Sequence, residues 1–427
     1  MRVIIAGGGI AGLATALSLH AAGVESITVT EAADEIRPLG VGINLLPHAV
    51  RELTELGLAD ELAAIAVPTR ELAYFNHHGQ LIWSEPRGLA MGYQWPQYSV
   101  HRGRLQLMLL KAVTDRLGAD AIRTGHRLTG FTTAAASASA SADVTAHYGS
   151  PGTGGTTTAL TGDLLIGADG IRSTVRARLY PAEPAPLWNG LVLWRGTTRA
   201  RPFRGDRSMI MAGNDEQKFV AYPITAPDAD GKVEINWIAE RPLERADGDR
   251  GDWNRPVRVA EFLPHFADWR FDWLDVAGTI RRAAAAYEYP MVDRDPLPRW
   301  THGRVTLVGD AAHPMYPIGS NGASQAILDA RVLSDALART GEPGPACEAY
   351  EAERRPATSA ITLANRQMGP ELVLKRAHER APEGFTDIER VLPLAEREEI
   401  AARYKRLAGF DPVLLNQRRS YDATLST

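Results

Sequence analysis

Cysteine is nearly absent. Cys347 stands alone among 427 residues, which excludes a disulfide within the chain and any thiolate metal cluster, and fits a reducing cytoplasm. No apolar run approaches the roughly 20 residues needed to span a bilayer. Neither sign of charge dominates: 47 Lys and Arg against 51 Asp and Glu give a net charge of −4. Without a basic tail or stripe, nucleic acid and anionic membranes are not expected partners. The 11 histidines show no paired ligand spacing, so no metal site is expected. A nucleophile elbow and internal repeats are lacking as well. The opening MRVIIAGGGIAGLATALSLH places one Arg before an apolar stretch, but glycines break that stretch, so it reads as strand–turn–helix and not as a secretory leader.

What is present is an ordinary globular composition, 44% hydrophobic and 23% charged. The length suits two or three domains or one large interleaved unit, at roughly 100–200 residues per domain. Residues 1–6 form a short β-branched apolar run, an Ala- and Leu-rich helix follows to about Ala22, Gly23 stops it, and Ser26–Thr30 reads as a second strand. This is a βαβ start. Helical patterns follow at 46–65 and 104–117, and strand-like ones at 71–83, 163–167 and 304–309. The runs GLVLWRG, KFVAYPIT and KVEINWIAE within 187–240 predict an antiparallel sheet. A long helix is expected over 321–339 and a mostly helical, charged tail after Arg355-Pro356. The Ala-, Ser-, Thr- and Gly-rich stretch 133–160 reads as a hairpin with a loose tip.

The fold class expected is therefore α/β: a Rossmann-like dinucleotide-binding domain interleaved with a mainly antiparallel β-sheet substrate domain, then a helical C-terminal region. The expected boundaries are 1–70, 101–180 and 291–356 for the first, 71–100 and 181–290 for the second, and 357–427 for the tail.

Three motifs carry chemistry. In Gly7-Gly8-Gly9-Ile10-Ala11-Gly12, Gly7 permits a tight turn, Gly9 lets backbone approach a pyrophosphate, and Gly12 lets helix pack on strand. The helix N-terminus then offers free N–H groups to phosphate. Glu31, 19 residues beyond Gly12, is placed to accept from ribose hydroxyls. The second motif is Gly167-Ala168-Asp169-Gly170, after a strand. The third is Gly309-Asp310-Ala311-Ala312-His313-Pro314, also after a strand, and it leads into Pro317-Ile318-Gly319-Ser320-Asn321-Gly322-Ala323. Each has a plain structural alternative: a bare turn for Asp169, helix N-capping for Ser320 or Asn321.

In this order and spacing the three motifs resemble those of the FAD-dependent aromatic hydroxylases, the para-hydroxybenzoate hydroxylase superfamily, over residues 1 to about 370. The resemblance implies FAD held by Gly7, Gly9, Ala11, Gly12, Glu31, Val41, Arg102, Asp169 and Asp310, with Pro317, Gly319, Asn321, Gly322 and Ala323 at the flavin ring. It also implies NADH or NADPH as a transient electron donor, since no second GxGxxG follows a strand, and O2 as co-substrate. The expected activity is monooxygenation of an aromatic ring through a flavin C4a-hydroperoxide. Trp194, Tyr222, Trp237 and Tyr289 are candidate substrate contacts, with Tyr222 the candidate catalytic group. Where some relatives carry a histidine base, this chain has Asn44, which cannot serve as one.

Segments 37–44, 83–88, 289–298 and 319–327 further resemble the phenazine-carboxylate branch of that family, implying a polycyclic or heteroaromatic substrate and leaving open whether a carboxylate is lost. The residues leave open a flavin oxidoreductase that never hydroxylates, and a pigment- or drug-binding flavoprotein. They also leave open whether the chain is a monomer or a homodimer.

Overall fold

A computed structural model describes residues 1–133, 143–149, 158–243 and 255–425. Strand β1 (Arg2–Ala6) runs into helix α1 (Ile10–Ala21) and returns through β2 (Ser26–Thr30). β1 is the centre of a five-stranded parallel sheet, with β2 and Ile122–Arg123 on one side and Leu164–Gly167 and Val305–Leu307 on the other. All of β1 after Arg2 is buried, as expected of a parallel sheet covered on both faces. The chain leaves β1 in one direction and the later strands add on the other side. That topological switch opens a crevice beyond the C-terminal end of β1, where ligands bind in open α/β sheets.

Strand β3 (Gly42–Leu45) crosses from this unit toward a second, eight-stranded mixed sheet. That sheet contains β4 (Leu187–Ala200), β5 (Lys218–Pro223) and β6 (Val233–Pro242), and also Glu71–Phe75 and Leu81–Pro86 from much earlier in the chain. Its pairs are antiparallel except Ser208–Gly213 on Glu71–Phe75. The two faces differ. One packs on an aromatic cluster with Phe219, Trp237, Phe262 and Phe266; the other carries Met209, Met211, Val220 and Tyr222.

Helices α2 (Gly322–Thr340) and α3 (Pro343–Asn365) cover the parallel sheet, and α4 (Leu394–Leu407) lies in the C-terminal region. The expected boundary at 356/357 falls inside α3, which runs through Pro356. A proline there costs one backbone hydrogen bond and some strain. The buried Tyr350, Thr358 and Ile361 on either side hold the helix together by packing. The boundary at 290/291 likewise cuts through the strand Ala286–Asp293.

The hairpin expected over 133–160 forms as the antiparallel strands Val144–Gly149 and Thr158–Gly162; its tip, including Gly152–Gly155, lies outside the described residues. No helix among the described residues is long and apolar enough to cross a membrane, and no cluster of His, Cys, Asp and Glu among them is suited to a metal ion.

Candidate functional site

The crevice at the end of β1 is about 440 Å³. Its floor is built from glycines because nothing larger fits. Gly7 has φ of +118°, and a Cβ there would stand 2.3 Å from Ala168 O. A Cβ on Gly12 would stand 1.9 Å from Gly7 O, so α1 packs directly on the turn. At Gly9 and Gly170 the same position has no atom within 4 Å: there the missing side chain leaves room for a ligand. Helix α1 starts at Gly9 with no side-chain cap and no acid in its first turn. Its N–H groups and positive dipole end are therefore available to an anion.

Glu31 is fixed at the rim by accepting from Gly8 N at 3.0 Å and Ala33 N at 2.8 Å. Gln106 Nε2 donates to Gly8 O at 2.8 Å. Asp169 also borders the crevice, but its carboxylate is turned into its own loop, accepting from Ser173 Oγ and from Thr174 N at 2.7 Å. It shapes the wall that carries Gly170 and does not offer its own oxygens to a ligand.

A second cavity of about 220 Å³ lies between the large sheet, β3 and the loop 310–323. Its walls are mostly apolar: Leu193, Met209, Met211, Val220, Ile238 and Met291. Gly322 and Ala323, the first residues of α2, line it, and α2 too begins without a side-chain cap or an early acid. Asn321 spends its amide elsewhere, donating to Tyr404 Oη at 2.9 Å and to Gly319 O at 3.3 Å. Asp310 is enclosed by protein yet open to the cavity. Burial pushes its carboxyl up, while the charges of His313 and Arg102 pull it back. Arg102 thus lies within electrostatic reach of both cavities.

A buried polar network pins this loop. Asp329 accepts from His313 Nε2 at 2.5 Å, Arg354 Nε at 2.8 Å and Gly309 N at 2.9 Å. Gln325 Nε2 donates to Ala408 O at 3.1 Å, and Tyr404 Oη to Asn365 Oδ1 at 2.7 Å. The C-terminal region therefore backs the site within one chain. Burial alone would raise the Asp329 carboxyl, but His313 and Arg354 hold it below the usual carboxylate range. A depressed carboxyl stabilises the fold above its unfolded pKa, near 4, and that contribution vanishes as pH falls through the lower folded value. Asp329→Ala is expected to cost about 3 kcal/mol or more at pH 7, by stranding the buried Arg354 cation, and to flatten the acid limb of stability against pH. Denaturant unfolding at a series of pH values checks both.

The structure divides the expected site residues. Gly7, Gly9, Glu31, Arg102 and Asp169 line the crevice; Asp310, Pro317, Asn321, Gly322, Ala323 and Tyr222 line the cavity. Gly12 is buried behind the surface, and Ala11 is partly exposed. Ala11 is the neighbour a Cβ on Gly309 would meet at 2.9 Å, so the first and third motifs touch. Val41 is buried and its carbonyl accepts from Arg102 N at 2.9 Å. Gly319 has φ of +69°, and a Cβ there would overlap the Tyr404 ring.

Trp194 and Trp237 are corrections. Side chains alternate along a strand, and it is Leu193, Arg195 and Ile238 that face the cavity. The two tryptophans point to the opposite face. There Trp194 stacks on Phe262 at 4.7 Å and donates to Glu288 Oε2 at 2.9 Å, and Trp237 Nε1 donates to Thr198 Oγ1 at 3.1 Å. Tyr289 pairs with Leu193 across the sheet and lies under the Arg195 guanidinium, 5.7 Å from its ring centroid, beside the cavity but not in its lining.

Sequence reading missed Arg195, Lys218, Glu240 and Glu371, which all line the cavity. A signal existed for two of them. Lys218 and Glu240 are charged residues at strand ends, in step with Tyr222 and Ile238 at a period of two.

Tyr222 is buried beside Arg195 and Asn236, and burial pushes its hydroxyl up to about 12. It keeps its proton at neutral pH. Arg195 donates from Nη2 to Gly42 O at 2.8 Å, while its buried Nε finds no acceptor in the protein.

These features fit FAD: glycines leave open space along the crevice, two uncapped helix N-termini face the two cavities, and carboxylates stand at Glu31 and Asp310. Fold and site together define a flavoprotein with a second chamber walled by a β-sheet. The chain belongs to the FAD binding domain family, whose profile matches residues 1–364, and within it to the FAD-dependent aromatic monooxygenases. It is 48% identical over 367 residues to the phenazine 1,6-dicarboxylic acid hydroxylase PhzS of Lysobacter antibioticus, covering 85% of this chain and 89% of that one. It is 30% identical to the 3-hydroxybenzoate 6-hydroxylase of Polaromonas naphthalenivorans, covering 86% and 87%. Among solved structures it superposes on a salicylate hydroxylase substrate complex with a TM-score of 0.73 at 23% identity, covering 100% and 98%. Klebsiella pneumoniae HpxO with FAD and uric acid gives 0.73 at 23%, covering 96% of each chain.

Proposed function

We propose that this protein hydroxylates a planar heteroaromatic carboxylic acid of the phenazine-carboxylate kind, at the expense of NAD(P)H and O2. The observation that carries the reading is the cavity itself: an apolar slot with one guanidinium, Arg195, whose Nε has no protein acceptor, beside a protonated Tyr222. Bound FAD supplies the chemistry of accepting a hydride and activating O2; the protein binds, orients and excludes water.

The N-terminus of α1 with Gly7 and Gly9 would hold the pyrophosphate, assisted by Arg102. Glu31 would hold the ribose, and Asp310 a hydroxyl of the chain leading to the ring. The N-terminus of α2 at Gly322 and Ala323 would set positive potential at the ring's edge. Met209, Met211, Val220 and Ile238 keep water from the reacting carbon. Arg195 orients the acid through a charged fork, and Tyr222 Oη donates to substrate while keeping its proton. Neither Tyr222 nor Asn44 takes a proton at neutral pH, so the slot suits a ring that needs no deprotonation by them. The single cysteine is buried, in keeping with work in the cytoplasm, where NAD(P)H is available.

The test is NAD(P)H oxidation and O2 uptake by the purified yellow protein with phenazine-1-carboxylate, with mass spectrometry of the product. Stimulated turnover with a product carrying one added oxygen, or hydroxyl in place of carboxylate, is the expected result. A product that gains only hydrogen means a reductase, and peroxide alone means the wrong substrate. Tyr222→Phe is expected to lower the product formed per NAD(P)H about 3-fold or more, the worth of one lost hydrogen bond, with FAD content unchanged. Unaltered coupling would remove Tyr222 from the site.

A further inference from the structure

We propose that Lys218, Glu240 and Glu371 set the charge selectivity of the cavity, admitting an acid whose single carboxylate meets Arg195 and rejecting a second anionic group at the opposite end. This rests on the reading of the cavity as the substrate site.

Strand register lays out the floor. Leu193, Glu240 and Lys218 form one row across β4, β6 and β5; Arg195, Ile238 and Val220 the next; Thr197, Asn236 and Tyr222 the third. Such rows are about 7 Å apart along the strands, and neighbouring strands about 5 Å apart. The first and third rows are thus roughly 14 Å apart from backbone to backbone. Arg195 reaches toward the third row, to Gly42 O at 2.8 Å. Asn236 there accepts from Gly42 N at 2.7 Å and keeps a buried Nδ2 without an acceptor. The guanidinium of Arg195, which lines the cavity, fits a carboxylate at this end. Ile238, Val220 and Met211 make the apolar middle.

The first row is different. Lys218 Nζ is held between Glu240 Oε1, at 3.2 Å, and Glu371 Oε2, all three side chains being buried. One ammonium against two carboxylates gives a net charge of −1, or zero when one carboxylate is protonated, and burial does push the Glu240 carboxyl up. In neither state is the cluster positive. The charge of Lys218 is used within the protein, so a second carboxylate brought to this end would leave water for carboxylate neighbours with no cation to receive it.

The experiment is a titration of the full-length, FAD-loaded protein with phenazine-1-carboxylate and with phenazine-1,6-dicarboxylate, following the flavin absorbance. The unsubstituted protein is expected to bind the monoacid at least about 10-fold more tightly, the size of one nearby like charge. In the Glu240→Gln/Glu371→Gln double variant, which leaves Lys218 as the one charge of the cluster, the ratio of the two affinities should move toward the diacid by about 10-fold. In Lys218→Met it should move the other way. The readout is a ratio measured on one variant, so a general loosening of the cavity leaves it in place. Equal binding of both acids by the unsubstituted protein, or a ratio that stays fixed in the double glutamine variant, overturns the proposal while leaving the substrate site standing. Failure of the monoacid to bind overturns the site reading and the selectivity with it.

Discussion

Gly7→Ala is expected to yield a colourless protein. The substitution adds one methyl group, and two independent effects oppose it. The residue sits at φ of +118°, where an L-residue is strained by about 1–3 kcal/mol. The new Cβ would also lie 2.3 Å from Ala168 O and 2.7 Å from Ala168 C, which are backbone atoms with no rotamer to yield. Relief requires the turn after β1 to part from the turn after Leu164–Gly167, and those two turns are opposite walls of the crevice. An affinity loss for FAD of 100-fold or more is expected, on the order of 3 kcal/mol, read as flavin absorbance of the purified protein and by titration with added FAD. Gly205→Ala is the control. It has φ of +88° but nothing within 4 Å of the Cβ position, so it carries the conformational cost without the collision and should remain yellow. A yellow Gly7→Ala protein with unchanged FAD affinity would place the cofactor elsewhere.

Arg195→Met should lower kcat/KM for the aromatic acid about 100-fold, the worth of a charged hydrogen-bonded contact of about 1.5–3 kcal/mol. The loss should appear only when the substrate carries a carboxylate. With the corresponding neutral amide, the substituted and unsubstituted proteins should differ little, because methionine keeps the apolar stem and gives up only the fork. Arg195→Lys should recover part of the loss, since an ammonium restores charge but not two parallel donors. Equal losses for acid and amide would mean that Arg195 serves the structure, through its bond to Gly42 O, and does not read the substrate.

The cofactor half of the site was legible in the sequence because its constraints are local. The collision between Gly12 and Gly7 O, the turn at Gly7 and the open space at Gly9 are properties of six consecutive residues between a strand and a helix. A short motif can carry such a requirement whatever the rest of the chain does. Asp169 shows the limit. Its position was legible, but the direction of its carboxylate depends on Ser173 and Thr174 closing on it, and the motif is silent on that.

The substrate half could not be read the same way. Aromatic residues in strands marked Trp194 and Trp237 as candidates, yet a strand has two faces, and a shift of one residue exchanges them. Nothing within β4 says which face meets the cavity. That was settled by Phe262 and Phe266, which cover one side, and by the loop 310–323 and Glu371, which close the other.

The sequence by itself determined the parallel α/β unit, the glycine turns, the two acids Glu31 and Asp310, and membership among flavin-dependent hydroxylases. The membership came from the resemblance of three spaced motifs to that family; the rest follow from backbone sterics and hydrogen bonding over a few residues. Only the tertiary structure decided the composition of the chamber: Arg195 from β4, Tyr222 and Lys218 from β5, Glu240 from β6 and Glu371 from beyond α3. A cavity is the space left where distant elements fail to touch, and its charge depends on which buried side chains pair with one another, as Lys218 does with two glutamates. Both are consequences of packing, which no single segment encodes.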